Sequence, residues 1–176
     1  TYKEIDIVIK QSNVDIIFYS SDMEEKINVI NKDFNKIKYV NMDKYEFKKM
    51  LKDGKRAYFK DNFIDKVKRS DKDLSILLFT SGTSAKAKIV KLSQYNIIRD
   101  AYNLNFRFDL DTKDKFFSIL PLHHTYEFTC SIITPLMSGS SVCFCSSFKN
   151  IKKDLKKYQP TVINCVPRVL EFIALG

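Results

Sequence analysis

The sequence contains no uninterrupted apolar run of about 18 residues, the length at which a membrane-spanning helix is read, and this excludes that class of protein. It shows no signal-peptide pattern, no internal repeat and no low-complexity linker. The four cysteines, Cys130, Cys143, Cys145 and Cys165, form no C-x-x-C pair, and the only histidines are His123 and His124. A zinc site drawn from these residues has no ligand spacing to support it. Reduced, buried thiols in a cytoplasmic protein are the reading that remains. Arginine is scarce as well. Of 30 basic residues only Arg56, Arg69, Arg99, Arg107 and Arg168 are arginines, and the net charge of +9 is carried by lysine. Lys26, Lys32, Lys36, Lys48, Lys52, Lys66, Lys152 and Lys156 alternate with acids at helical spacing, which describes solvated helix faces rather than a nucleic-acid surface.

What the chain does have is a short apolar run, Leu74 to Phe79, that stops in Thr80-Ser81-Gly82-Thr83-Ser84 and then in Lys86 and Lys88. The run reads as a buried strand and the sequel as a loop that wraps phosphate. Thr80, Ser81, Thr83 and Ser84 supply hydroxyls, Gly82 lets the backbone approach a ligand, and the lysines bring positive charge. The Walker A spacing is absent, because Ala85 and Ala87 occupy the region where its second glycine falls. A Ser/Thr-rich surface turn is the plain alternative.

Helical and extended patterns alternate along the chain. The expected helices are Tyr2 to Gln11, Asp22 (as N-cap) to Ile30, Tyr45 to Leu51, Ser93 (as N-cap) to Phe106, Tyr126 to Met137 and Lys149 to Tyr158, with another opening after Pro167. The expected strands are Val14 to Tyr19, Ile37 to Val40, the run before Thr80, a stretch holding Val90 and Leu92, Lys115 to Leu120, Ser141 to Cys145 and Val162 to Val166. Gly54 to Ser70 is undecided, with a short helix near Phe63 to Val67. Strands separated by helices predict an α/β fold with a mostly parallel sheet and flanking helices. That order puts the hydroxyl loop at the carboxyl end of its strand, where open α/β sheets bind ligands.

The segment Phe79 to Ser84 with Lys88 and Val90 resembles the phosphate loop of the adenylate-forming (AMP-binding) superfamily. Ala85, Ala87 and Ile89 stand where that pattern usually has Gly, Pro and Gly. Two later segments agree in order. Ser118-Ile119-Leu120-Pro121-Leu122-His123-His124-Thr125-Tyr126-Glu127 resembles the family's L-P-[LM]-x-H segment beside the acyl pocket, and Glu127 makes it most like the long-chain fatty acyl-CoA synthetases. Pro160-Thr161-Val162-Ile163-Asn164-Cys165-Val166-Pro167 resembles the later P-T-x-x-x-x-V-P strand and turn.

The resemblance implies an ATP-dependent, AMP-forming acid-thiol ligase. A carboxylic, fatty acid is activated as an acyl-adenylate and passed to coenzyme A. Thr80, Ser81, Gly82, Thr83, Ser84 and Lys88 would bind the ATP phosphates, and Thr83 or Ser84 would lie near Mg²⁺. His124 would stand between the acyl and nucleotide pockets. It further implies that residues 1–176 are one partial N-terminal domain, with the C-terminal domain absent and no catalytic residue assigned inside the segment, which alone is expected to be inactive. The alternatives are an adenylation domain that loads a carrier protein, and a non-catalytic nucleotide- or acyl-binding module, suggested by Ala85, Ala87 and Ile89. For single residues the plainer readings are a core position for His123, a helix-dipole acid for Glu127, and ordinary core packing rather than an acyl tunnel for Tyr126, Phe128 and Ile132.

Overall fold

The computed structural model describes residues 2–30, 33–80 and 88–175. The chain forms two compact units, one of residues 1–70 with 79–89 and the other of residues 71–78 with 90–176.

In the first unit, α1 (Tyr2–Ser12) is followed by β1 (Ile16–Tyr19), α2 (Glu24–Ile30), β2 (Lys38–Asn41) and α3 (Tyr45–Asp61). β1 and β2 are parallel, in register from Ile16 opposite Lys38 to Tyr19 opposite Asn41, with α2 as the crossover. Ile9, Ile27, Ile30 and Val40 form its buried centre. Phe18 of β1 meets Phe47 of α3 edge-on, with ring centroids 6.0 Å apart.

Two expectations are corrected here. Asp22 does not cap α2: it lies inside a 3₁₀ turn, Ser21–Met23, and accepts a hydrogen bond from Ser20 Oγ. α3 does not stop at Leu51 but runs 17 residues, straight through Gly54. A glycine inside a helix costs only about 1 kcal/mol relative to alanine, and Phe47, Met50 and Tyr58 give α3 a half-buried face on both sides of it. A second 3₁₀ turn, Phe63–Lys66, occupies the expected short helix.

β3 (Leu74–Thr80) and β4 (Lys88–Ser93) pair in a two-stranded sheet. The second unit continues with α4 (Gln94–Phe108), β5 (Lys115–Ser118), α5 (Thr125–Glu127), a π-helical stretch (Phe128–Ile133), α6 (Thr134–Ser138), β6 (Ser141–Phe144), α7 (Ile151–Tyr158), β7 (Val162–Ile163) and α8 (Pro167–Leu175). The last three strands form a parallel sheet in the order β6-β5-β7. Its central strand is buried on both faces through Phe116, Phe117 and Ser118, as the middle of a parallel sheet requires. α4 packs on the π-helical stretch and on α6 through the face bearing Ile97 and Ala101, both buried and one turn apart.

Scarce glycine shapes the helix ends. With only four glycines in the chain, α1, α4 and α7 are followed by Asn13, Asp109 and Gln159 in the left-handed region, at φ 51°, 49° and 48°. Glycine is the usual residue at that position. Gly139, at φ 74°, fills it after α6, where a Cβ would meet Thr112 Cγ2 at 3.1 Å.

Ser93 caps α4 as expected. Its Oγ accepts from the Asn96 amide at 3.2 Å, while Asn96 Oδ1 accepts from the Ser93 amide at 2.9 Å. Ser93→Ala removes one half of this reciprocal pair and is expected to lower stability by about 1 kcal/mol in urea unfolding, with the m-value unchanged.

Candidate functional site

β3 ends its apolar run at Thr80, and β4 opens at Lys88 with both side chains exposed. Because β3 pairs with β4, the hydroxyl of Thr80 and the ammonium of Lys88 stand at the two ends of one connection. Ser81, Gly82, Thr83 and Ser84, and with them the expected Mg²⁺ ligand, lie outside the described residues, as do Ala85 and Ala87. Ile89 is within β4 and half-buried. Thr80 and Lys88 belong to the first unit and His124 to the second.

In the second unit the chain leaves β5 through Ile119, Leu120 and Pro121 into a turn closed by the His124 amide on the Pro121 carbonyl at 3.0 Å. His124 is the N-cap residue of α5, with extended backbone (φ −83°, ψ 133°), and its carbonyl accepts the Phe128 amide at 2.9 Å. His124 thus belongs to the helix through its backbone while its side chain is exposed. His123 is exposed as well, so it is not a core histidine; its ring lies 4.4 Å from that of His124, centroid to centroid.

Glu127 departs furthest from expectation. It is not a solvated acid at a helix start, for it is 0% exposed. Its Oε1 accepts from Ser118 Oγ at 2.6 Å and from the Ile119 amide at 3.1 Å, and its Oε2 accepts from Ser131 Oγ at 3.1 Å. Asn164, directly after β7, extends the network: its Nδ2 donates to Ser131 Oγ at 3.3 Å and to the Cys130 carbonyl at 3.1 Å. A buried carboxylate is tolerated only when its lone pairs are met by donors, and here two hydroxyls and one amide meet them. The exits of β5 and β7 and the intervening helix are therefore joined by one polar chain.

The sequence patterns passed over Ser118, Ser131 and Asn164 as members of this network. The available signal was an acid set among Tyr126, Phe128 and other apolar residues, with Ser131 four positions on, on the same helix face. The helix itself also differs from the regular one expected from Tyr126 to Met137. Pro135 cannot donate and crowds the preceding turn, and the helix widens to π geometry just before it.

Of the four cysteines only Cys130 is buried; Cys143, Cys145 and Cys165 are part-exposed, which corrects the expectation of four buried thiols. Burial, with Asp100 and Glu127 nearby, pushes the Cys130 thiol up to about 11, and burial also raises Cys145 and Cys165. These thiols stay protonated near neutral pH and are poor nucleophiles. Among the described residues, no group of three or more His, Cys, Asp and Glu side chains is placed to hold a metal ion, and no helix is long and apolar enough to cross a membrane.

Comparison with known proteins gives the class. The profile of the AMP-binding enzyme family matches residues 1–175, and the chain belongs to that family. Over 125 residues it is 33% identical to the chloroplastic long-chain-fatty-acid–[acyl-carrier-protein] ligase AEE15 of Arabidopsis thaliana, a match covering 67% of this chain and 15% of that protein. Over 115 residues it is 33% identical to long-chain-fatty-acid–CoA ligase 5 of Mus musculus, covering 63% of this chain and 17% of that one. Its fold is similar to that of part of ATP-bound MatB from Rhodopseudomonas palustris, with a TM-score of 0.77 at 20% identity over 100% of this chain and 34% of that chain. The chain thus spans less than a fifth of the length of these two sequence relatives.

Iodoacetamide at pH 8 is expected to leave Cys130 unlabelled in the folded chain, because a pKa of about 11 keeps all but about a thousandth of that thiol protonated. Labelling is expected in urea. Peptide mass spectrometry reads both states, and fast modification of Cys130 without denaturant contradicts the assignment.

Proposed function

We propose that this chain is part of the large N-terminal domain of an ATP-dependent acid-thiol ligase, and that residues 1–176 form a single portion of that domain. The enzyme activates a carboxylic acid, a fatty acid, by forming an acyl-adenylate with loss of pyrophosphate, and passes the acyl group to coenzyme A. The observation that carries this reading is the family match across residues 1–175. Within that match, the hydroxyl and lysine residues from Thr80 to Lys88 join two paired strands.

A carboxylate is already ionised at neutral pH, so the chemistry asks little of a side-chain base. Positioning and neutralisation of phosphate charge supply most of the barrier reduction. Thr80, Ser81, Gly82, Thr83, Ser84 and Lys88 are assigned to the ATP phosphates. An exposed hydroxyl at the end of β3 and an exposed ammonium at the start of β4 suit an anion. Thr83 or Ser84 would contact Mg²⁺, which would neutralise charge on the same phosphates. His124 is assigned to the wall between acyl and nucleotide compartments; its exposed side chain beyond the carboxyl end of β5 suits that role.

Support for a fatty acid comes from Glu127 in the His124-Thr125-Tyr126-Glu127 sequence and from the names of the two relatives. One of those is a ligase for acyl carrier protein, which favours a carrier protein as the alternative acceptor to coenzyme A.

The test is carboxylate-dependent exchange of pyrophosphate into ATP by the full-length protein bearing this segment. Lys88→Ala and Thr83→Ala are each expected to reduce exchange about ten- to a hundredfold, as the loss of one charge-assisted hydrogen bond implies. The 176-residue segment alone is expected to show none. Undiminished exchange in both variants removes the loop assignment, and binding of ATP without exchange under any acid turns the reading to a non-catalytic module.

A further inference from the structure

We propose that Glu127 is a positioning residue: its carboxylate fixes the Ile119 to His124 segment, and through it the placement of His124. The inference deepens the functional reading above and rests on it for the role of His124, whereas the geometry it starts from is independent of that role.

A solvated acid would serve a helix start equally well, yet here the carboxylate is wholly buried. Its Oε1 takes two donors from consecutive residues, the Ser118 hydroxyl and the Ile119 amide. Ile119 is the first residue past β5, where the sheet no longer directs the chain. From Ile119 only five residues lead to His124, and His124 in turn is tied to the same helix by the Phe128 amide on its carbonyl at 2.9 Å. The segment is therefore pinned at both ends to one helical turn, by the Glu127 side chain at its entry and by the helix backbone at its exit. Oε2 anchors the carboxylate itself through Ser131, which Asn164 steadies from the exit of β7. With the entry pin lost, two buried hydroxyls and the part-buried Ile119 amide are left without their acceptor, and the turn carrying His124 is held at one end only.

The carboxylate acts here by reach and not by charge, because its partners are two hydroxyls and an amide. That makes two conservative substitutions diverge. Glu127→Gln keeps the length. Its Oε1 still accepts from Ser118 and Ile119, and its Nε2 donates to Ser131 Oγ, whose second lone pair continues to accept from Asn164. Glu127→Asp keeps the charge but withdraws the oxygens by one methylene, so the Ile119 and Ser131 contacts cannot both be made.

Asp154 provides an internal control. It is 5% exposed and grips the exit of β6 in the same manner, accepting from the Ser146 amide at 2.8 Å and Ser146 Oγ at 2.7 Å, but it is not connected to the His124 segment by these bonds.

The experiment uses the full-length protein with ¹³C-labelled histidine, the two imidazole resonances of this segment being assigned with His123→Gln. The Cε1–H resonance of His124 is expected to move in Glu127→Ala and Glu127→Asp and to stay at the wild-type position in Glu127→Gln and Asp154→Asn, although Asp154→Asn lowers Tm. In pyrophosphate exchange, kcat/KM for the carboxylate is expected to fall about a hundredfold in Glu127→Asp, the cost of a misplacement near 1 Å. KM for ATP is expected to change less than about twofold, as a lost acyl-side contact predicts. If Glu127→Ala does not fold, the Asp and Gln pair carries the comparison. An unmoved His124 in Glu127→Asp, or the reverse ranking of Asp and Gln, overturns the proposal. A shifted His124 in a protein that performs no exchange with any acid sinks the functional reading and leaves the positioning role standing.

Discussion

The exit of a parallel strand is a place where backbone amides run out of ladder partners while still inside the protein, and each unpaired one costs about 1–3 kcal/mol. Glu127 resolves this for the central strand of the second unit by bringing a carboxylate from the following helix onto the Ile119 amide and the Ser118 hydroxyl. Asp154 does the same on the Ser146 amide beyond β6. The first unit uses a related device, with Asp43 accepting the Ser21 amide at 2.7 Å beyond β1, and Glu24 accepting from Asn41 Nδ2 at 3.1 Å at the end of β2. An ionised acid is well suited to this work because it offers acceptors only, and the groups it meets at these four exits are donors. These acids lie at the carboxyl ends of their strands, the edge at which α/β sheets generally bind ligands.

The helix that carries Glu127 shows how the network is accommodated. Pro135 interrupts it, and the turn before Pro135 widens to π geometry. In that register the Cys130 carbonyl looks to the amide of residue 135, which a proline does not have. Asn164 supplies the missing donor from the exit of β7, and Thr134 Oγ1 covers the Thr129 carbonyl at 2.9 Å. The proline and the asparagine thus form a complementary pair across the sheet exit. Asn164 serves the helix and the Glu127 clamp with one amide group.

Much of this was legible in the sequence because local chemistry decides it. The Ser93 cap, the apolar run ending at Thr80, the paired phenylalanines of β5 and the turn at Gly139 are fixed by residues adjacent in sequence. The failures lie where a distant partner decides. The expected helix ends at Leu51 and leaves the stretch from Gly54 undecided, but a face of α3 half-buried through Phe47, Met50 and Tyr58 carries the helix past both. Asn13, Asp109 and Gln159 take left-handed conformations that a motif search assigns to glycine, because the preceding helices must end there. Glu127 was visible as a residue but not as a buried one. Its burial depends on Ser118 and Asn164, separated from it by 9 and by 37 positions, and no periodicity reports such a meeting.

The same distinction bears on the phosphate segment. Three of its positions differ from the superfamily pattern, and a glycine replaced by a branched residue would be a strained substitution if the backbone there needed positive φ. At Ile89 it does not. Ile89 lies within β4, half-buried and one residue past Lys88, in an extended conformation that favours a β-branched side chain. Lys88 is the first residue of the same paired strand. A lysine at the head of a paired strand loses less conformational freedom on meeting an anion than one in a flexible glycine segment.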